Sequence, residues 1–313
     1  MLLIDQANMK GINEPLVATI GFFDGVHLGH RHLINLLRIQ ATSFGYKTAV
    51  ITFTQHPRTV LNADFQPALL TTPAEKIAAI ETTGVDFCIQ LNFTLELAQM
   101  TSAEFIEHIL FKQLHVRILL VGHDHRFGKN RSEGLADYIR FGKTIGLEVQ
   151  EATRFVLPDC QHISSSTIRN ALQTAQVETA NKILSYPYSF EGIVTDGFHI
   201  GRKLGFPTAN IQVVDAHKLI PASAVYAVKV QVEGSTLSGM MNIGFRPTIS
   251  DGLTQTIEVH LFDFEQNIYN KTMRVFVYAK LRNEMRFENI DQLINQLHHD
   301  KRTALKLLTH RAS

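Results

Sequence analysis

The sequence predicts two domains: a parallel α/β sheet, then a small antiparallel β-barrel with a C-terminal helix. Three observations lead there. Between residues 16 and 152, short apolar runs alternate with segments of helical period, the pattern of parallel strands joined by crossover helices. Beyond residue 185 the period drops to two, with Gly, Asn and Asp separating the runs, as in a small barrel. At 313 residues the chain has room for two units of roughly 150 residues each. The boundary is expected at about residue 184, giving domains 1–184 and 185–313.

In the first domain the expected strands are Leu16–Ile20, Thr48–Phe53, Phe87–Gln90, Ile118–Val121 and Glu148–Ala152. Helices are expected near Arg31–Phe44, Ala74–Thr83, Ser102–Leu114 and Glu133–Ile145. Leu33, Leu36, Leu37, Ala41 and Phe44 recur at helix spacing in the first of these. Pro73 suits the start of the second, and Thr101 or Ser102 the cap of the third. Two short helices, about Ser166–Gln173 and Val177–Leu184, lead to Ser185-Tyr-Pro-Tyr188. The barrel strands are expected at Phe190–Asp196, Val225–Val232, Thr236–Asn242, Thr256–Phe262 and Met273–Leu281. A last helix, about Ile290–Leu308, lines up Leu293, Leu297, Ala304 and Leu308 to cover the barrel.

Hydrophobic content of 45% and charged content of 19% are those of ordinary soluble proteins. A net charge of +1 supplies no basic field for nucleic acid. Cys88 and Cys160 have no metal-knuckle spacing and read as buried thiols of a reducing compartment. The start, Met-Leu-Leu-Ile-Asp-Gln, is not a basic segment followed by a long apolar one. No run approaches the ~20 apolar residues of a membrane span. The expected location is the cytoplasm, with no membrane partner.

The strongest chemical signal is Gly21-Phe-Phe-Asp-Gly-Val-His-Leu-Gly-His30. It lies where the buried strand Leu16–Ile20 hands over to a helix N-terminus. Exposed N–H groups and the positive end of the helix dipole favour a phosphate there. His27 and His30 share a face if both lie on the first helical turn, and Gly29 leaves room for close approach of a nucleotide. Taken alone, such histidines also fit a helix cap or half of a metal site.

Three further segments end strands or open a helix of the same domain: Thr52-Phe-Thr-Gln-His-Pro57, Val121-Gly-His-Asp-His-Arg-Phe-Gly128 and Ile163-Ser-Ser-Ser-Thr-Ile-Arg169. In a parallel sheet, loops at the carboxyl ends of the strands converge on one crevice. The hydroxyls of the third segment, with Arg169, suit a triphosphate tail; alone they are equally an N-cap. His123-Asp124-His125 reads as a polar loop before it reads as a metal cluster. Neither Gly142-Lys143-Thr144 nor Gly128-Lys129 completes a P-loop.

In the second domain, Gly197-Phe-His-Ile-Gly-Arg-Lys-Leu-Gly-Phe-Pro-Thr-Ala-Asn210 is a loop of fixed shape. Arg202 and Lys203 bring positive charge. Thr208 and Asn210 bring oxygens of the kind Mg²⁺ takes together with phosphates. Alone, the loop is a tight structural turn, and Glu258 an exposed strand residue.

Taken together, these segments resemble the prokaryotic bifunctional riboflavin kinase/FAD synthetases, in order and over nearly the whole chain. Gly21–His30 matches the nucleotidyltransferase signature, and Gly201–Asn210 the flavokinase signature. Asn242-Ile-Gly-Phe-Arg-Pro-Thr248, Thr256-Ile-Glu-Val-His-Leu-Phe-Asp263 and Arg282-Asn-Glu-Met-Arg-Phe287 fit the same family. The resemblance implies a Rossmann-like nucleotidyltransferase domain (FMN adenylyltransferase) followed by a riboflavin kinase barrel. Riboflavin is phosphorylated by ATP to FMN, and FMN is adenylylated by ATP to FAD with release of pyrophosphate. FMN and FAD are then substrate and product rather than redox cofactors.

Carried over by motif, the resemblance implies that His27 and His30 contact the ATP phosphates, with Gly21, Phe22, Asp24, Gly29 and Asp124 around the nucleotide. Arg169, Ser164 and Ser165 neutralise the leaving pyrophosphate. Phe53, His56, Phe127 and Arg246 contact flavin. In the barrel Arg202 contacts the nucleotide, Thr208 and Asn210 hold Mg²⁺ and phosphates, and Glu258 is the general base. Three positions depart from the family pattern: His125 replaces a Phe, Ser166 a Thr, and Ala224 a Gly. If the backbone at 224 needed positive φ, Ala would strain it. The alternatives are retention of one activity only, a different adenylyltransferase, or a flavin- or nucleotide-sensing protein without turnover.

Overall fold

The computed structural model describes residues 1–122, 125–158, 162–196, 201, 204–247 and 253–309. By packing, the chain divides into two compact units, Met1–Ser165 and Ser166–Ser313.

The first unit is a six-stranded parallel sheet in the order β1-β4-β3-β2-β5-β6. Its strands are β1 (Leu2–Asp5), β2 (Leu16–Ile20), β3 (Lys47–Phe53), β4 (Phe87–Leu91), β5 (Val116–Val121) and β6 (Glu148–Glu151). All five residues of β2 are buried, as expected of a central parallel strand covered on both faces. Five of the six strands coincide with the expected apolar runs. β1 is additional: it pairs with β4 at the sheet edge and has a single buried residue. Strand order reverses at β2, so the crevice beyond its carboxyl end is where such sheets take ligands.

The helices of this unit are α1 (Leu28–Phe44), α2 (Pro57–Leu61), α3 (Pro73–Glu81), α4 (Leu95–Gln99), α5 (Ser102–Glu104, continuing as a π-helix over Phe105–Gln113) and α6 (Leu135–Ile145). α1 buries Ile34, Leu37 and Ala41. Phe44 leaves the expected apolar stripe and is 53% exposed, because the helix ends there at Gly45 in the left-handed conformation (φ 68°). α3 opens on a complete capping box between Thr72 and Glu75, with Pro73 at its first position.

In the second unit, α7 (Ser165–Gln173) and α8 (Val177–Leu184) precede the barrel. α8 is tied to it: the Asn181 side-chain amide donates to the Val277 carbonyl at 2.8 Å, and the Lys280 N–H to Glu178 at 3.0 Å. The closed antiparallel barrel runs β10-β11-β8-β7-β12-β9. Its strands are β7 (Tyr188–Thr195), β8 (Ala209–Val213), β9 (Ala224–Val232), β10 (Ser235–Pro247), β11 (Leu253–Leu261) and β12 (Thr272–Arg282). β8 was not expected; only one of its five residues is buried.

α9 (Ile290–Thr309) covers the barrel as expected. Ala304 and Leu308 pack with Phe206, Met240 and Phe262, and Asp300 accepts from Arg282 Nε at 2.9 Å. Ala224 opens β9 opposite Ile243 and is not among the residues with positive φ. The strain foreseen for a lost glycine is therefore absent, because the position is extended strand.

Candidate active sites

In the first unit the site grows from the turn between β2 and α1. His27 is the N-cap of α1, and its Nδ1 accepts from the His30 N–H at 3.4 Å. In the neutral ring the proton then sits on Nε2. The rings of His27 and His30 stack, with centroids 3.7 Å apart and planes 17° apart. Burial, then the neighbouring His27 and His125, hold His30 well below the usual histidine pKa. His125 is pushed down to about 4, chiefly by burial. The Nδ1 of His30 and the Nε2 of His125 are buried without a hydrogen-bond partner among the described residues. Buried polar atoms are almost always satisfied, so two such nitrogens at a strand-end crevice point to a ligand.

The turn itself is strained, with φ of 56° at Phe23, 35° at Val26 and 80° at Gly25. Non-glycine residues persist there only where their surroundings over-determine them. Phe23 and Val26 are buried. The Asp24 carboxylate accepts from Leu70 N–H (3.0 Å), Thr71 N–H (2.9 Å) and Thr71 Oγ1 (3.0 Å). Gly25 N–H donates to Thr71 Oγ1 at 3.1 Å. Asp24 thus acts in this structure as a clasp for the turn. A Cβ at Gly29 would lie 3.2 Å from the His27 ring and 3.4 Å from Ile163, so this glycine makes room for the capping histidine. The Ser165 hydroxyl donates to the Asp24 carbonyl at 2.8 Å, so this serine of the third motif meets the turn of the first.

Phe22 and His56 meet edge to face at 4.7 Å. His56 also caps α2, its Nδ1 accepting from Arg58 N–H. Phe53 ends β3 and packs on Phe93 at 5.4 Å. Phe127 stacks on Tyr138 at 4.1 Å, and the Tyr138 hydroxyl accepts from the Phe127 N–H. Asp124 lies outside the described residues. Arg169 lies on α7, in the second packing unit.

In the barrel, Asn210, Glu258 and Asn242 lie side by side across β8, β11 and β10. The Thr208 hydroxyl donates to Glu258 Oε2 at 3.4 Å. His260 meets the Pro207 carbonyl through Nδ1 at 2.7 Å, fixing the chain just before Thr208. The loop is tight at its described end. Leu204 and Phe206 both donate to the Gly201 carbonyl, and a Cβ on Gly201 would strike the Phe206 carbonyl at 2.3 Å.

Thr208 lines two cavities. One of about 270 Å³ holds Glu258, Asn242, Arg282, Met285, Phe287 and Leu297. The other, about 500 Å³, holds Pro207, Ala209, Leu261, Phe264 and Tyr269. Arg246 sits on β10 opposite Thr254; its side chain, like Arg202, lies outside the described residues. Among the described residues no group of three or more His, Cys, Asp or Glu could hold a metal. Thr71 and Lys76 also pack on the turn and lie in none of the motifs. His260 and Glu284, which line the smaller barrel cavity, lie within the quoted motifs but had been given no role.

Fold and geometry define a two-part enzyme, with a strained strand–helix turn carrying stacked histidines in one unit and, in the other, a carboxylate bonded to a threonine that lines two cavities. The family models agree: FAD synthetase matches residues 9–167 and riboflavin kinase residues 184–308. The bifunctional riboflavin kinase/FMN adenylyltransferase of Haemophilus influenzae is 39% identical over 95% of this chain and 96% of its own. That of Bacillus subtilis is 36% identical over 93% and 92%. A crystal structure described as a macrolide-efflux protein from Streptococcus pneumoniae matches with a TM-score of 0.87 at 30% identity, covering 97% of this chain and 99% of that one. Among the described residues here, no helix is long and apolar enough to cross a membrane. The chain belongs to the family of bifunctional riboflavin kinase/FMN adenylyltransferases.

Proposed function

We propose that each of two domains carries one half of flavin cofactor synthesis, with adenylyl transfer assigned to residues 1–184 and riboflavin phosphorylation to residues 185–313. In the first half the FMN phosphate oxygen attacks the α-phosphorus of ATP, and the bond to pyrophosphate breaks with no covalent enzyme intermediate. His27 and His30, neutral and at the N-terminus of α1, donate to the ATP phosphates as charge shifts onto the leaving group. Gly21, Phe22, Asp24 and Gly29 shape that turn, and Asp124 contacts the nucleotide. Ser164, Ser165 and Arg169 receive the pyrophosphate. Phe53, His56 and Phe127 form the flavin wall.

In the second half Glu258 takes the proton of the ribityl 5′-hydroxyl as that oxygen attacks the γ-phosphorus of ATP and ADP leaves. The flavin occupies the cavity lined by Met285, Phe287 and Leu297, with Arg246 in contact. ATP occupies the cavity beside Pro207 and Tyr269, with Arg202 on its phosphates. Thr208 and Asn210 offer hard oxygen donors next to Glu258, a set that fits Mg²⁺ together with phosphates. When bound, the ion supplies charge neutralisation to those phosphates. The proposed location is the cytoplasm, where riboflavin and ATP are both available.

The observation that carries the kinase half is Thr208 at the junction of two cavities, bonded to Glu258. A chromatographic product time course with ATP, Mg²⁺ and riboflavin tests the whole. FMN should rise first and FAD follow. FMN without FAD would remove the first half, and failure to make FMN the second.

A further inference from the structure

One buried charge has no part in the chemistry above. Lys76, on α3, is 2% exposed. Its Nζ donates to the Phe53 carbonyl at 2.8 Å and lies 4.3 Å from the centroid of the Phe22 ring. The charged or ionisable groups facing it are Asp24, from the turn, and Cys88, from β4. An ammonium taken out of water is costly, and an apolar side chain of similar volume is often the more stabilising choice. This lysine also joins three segments that build the adenylyl-transfer site. These are the Gly21–Gly25 turn through Phe22 and Asp24, the end of β3 through Phe53, and α3 itself, whose approach supplies the Thr71 clasp on Asp24.

We propose that Lys76 is a positioning residue for adenylyl transfer: its buried ammonium holds the Phe22 ring and the Phe53 carbonyl so that the turn carrying His27 and His30 keeps its strained, phosphate-receiving shape. The proposal rests on the assignment of adenylyl transfer to this turn. Burial lowers the Lys76 pKa to about 8, with Asp24 and Cys88 opposing that shift. The Cys88 thiol is itself pushed up to about 11 by burial. The ammonium is therefore lost in mild alkali. The cation–π contact and the attraction to Asp24 are lost with it.

The experiment measures FAD formation from FMN against pH 6–10 in the full chain, with riboflavin phosphorylation as the internal control of fold. In the unaltered protein FAD formation should fall as pH rises through about 8, while FMN formation does not follow that limb. Lys76→Met should lower kcat for FAD formation roughly tenfold or more, through misplacement of the turn, with a smaller change in KM and no limb near 8. Lys76→Arg, whose charge persists, should recover part of the rate and also lack the limb.

A Lys76→Met variant with the rate and pH profile of the unaltered protein overturns the proposal, and so does a limb near 8 that persists in both variants. If Lys76→Arg fails to fold, the Lys76→Met profile decides alone: flat through 8 supports the proposal, and a retained limb overturns it. No FAD from the unaltered protein at any pH would instead overturn the underlying assignment, and this proposal with it.

Discussion

The two units solve phosphate chemistry in different ways. The first gathers neutral imidazoles at the N-terminus of a long helix, on a turn held in unfavourable backbone geometry by a buried carboxylate clasp. The second sets a carboxylate in an antiparallel row, bonded to a threonine shared by two cavities. On the proposed reading the nucleophiles explain the contrast. The phosphate of FMN is already anionic near neutral pH and needs positioning and charge stabilisation rather than a base. A ribityl hydroxyl must lose a proton as it attacks, so a carboxylate is placed to accept it. On that reading, a helix N-terminus with stacked histidines suits a charged nucleophile, and a strand-borne acid a neutral one.

The sharpest way to break this contrast is Glu258→Gln, which keeps the shape and removes the base. FMN formation should fall by about 10²–10⁴, while FAD formation from added FMN stays within about twofold of the unaltered protein; initial rates of each reaction check it. His30→Ala should lower FAD formation by roughly 10²–10³ and leave riboflavin phosphorylation unchanged. An equal loss in both reactions would mean that the histidine supports the fold rather than the chemistry.

The smallest effect concerns His125. Its pKa of about 4 in the folded chain lies below the ~6.5 of an unfolded histidine. The unfolded chain therefore takes up a proton first as pH falls. Stability from this group is unaffected above about 6.5 and declines between there and about 4, by up to roughly 3 kcal/mol. Unfolding of the first unit against pH should show that slope, and His125→Phe should flatten it.

Much of this was legible in the chain. β2 and α1 announce themselves because a fully buried parallel strand reads as an unbroken apolar run and a long helix repeats its apolar stripe. β1 and β8 were not legible: each has only one buried residue, too few to set a period. The motifs marked the segments of both candidate sites, yet they did not show Asp24 turned inward onto Leu70 and Thr71, nor Gly29 making room for His27, since both depend on contacts between residues distant in sequence or on ring placement. Lys76 left one trace. It stands four residues before Ile80 on the buried face of α3, where a lysine is out of place. Ala224 shows the reverse case, in which a motif mismatch suggested strain and the extended backbone of β9 removes it.

The most direct test of two independent sites pairs His30→Ala with Glu258→Ala, each supplied with ATP and Mg²⁺ and followed chromatographically. His30→Ala should convert riboflavin to FMN and stop. Glu258→Ala should leave riboflavin untouched and convert added FMN to FAD. The mixture should carry riboflavin through to FAD. Loss of both reactions in either folded variant would contradict the assignment of one site to each domain.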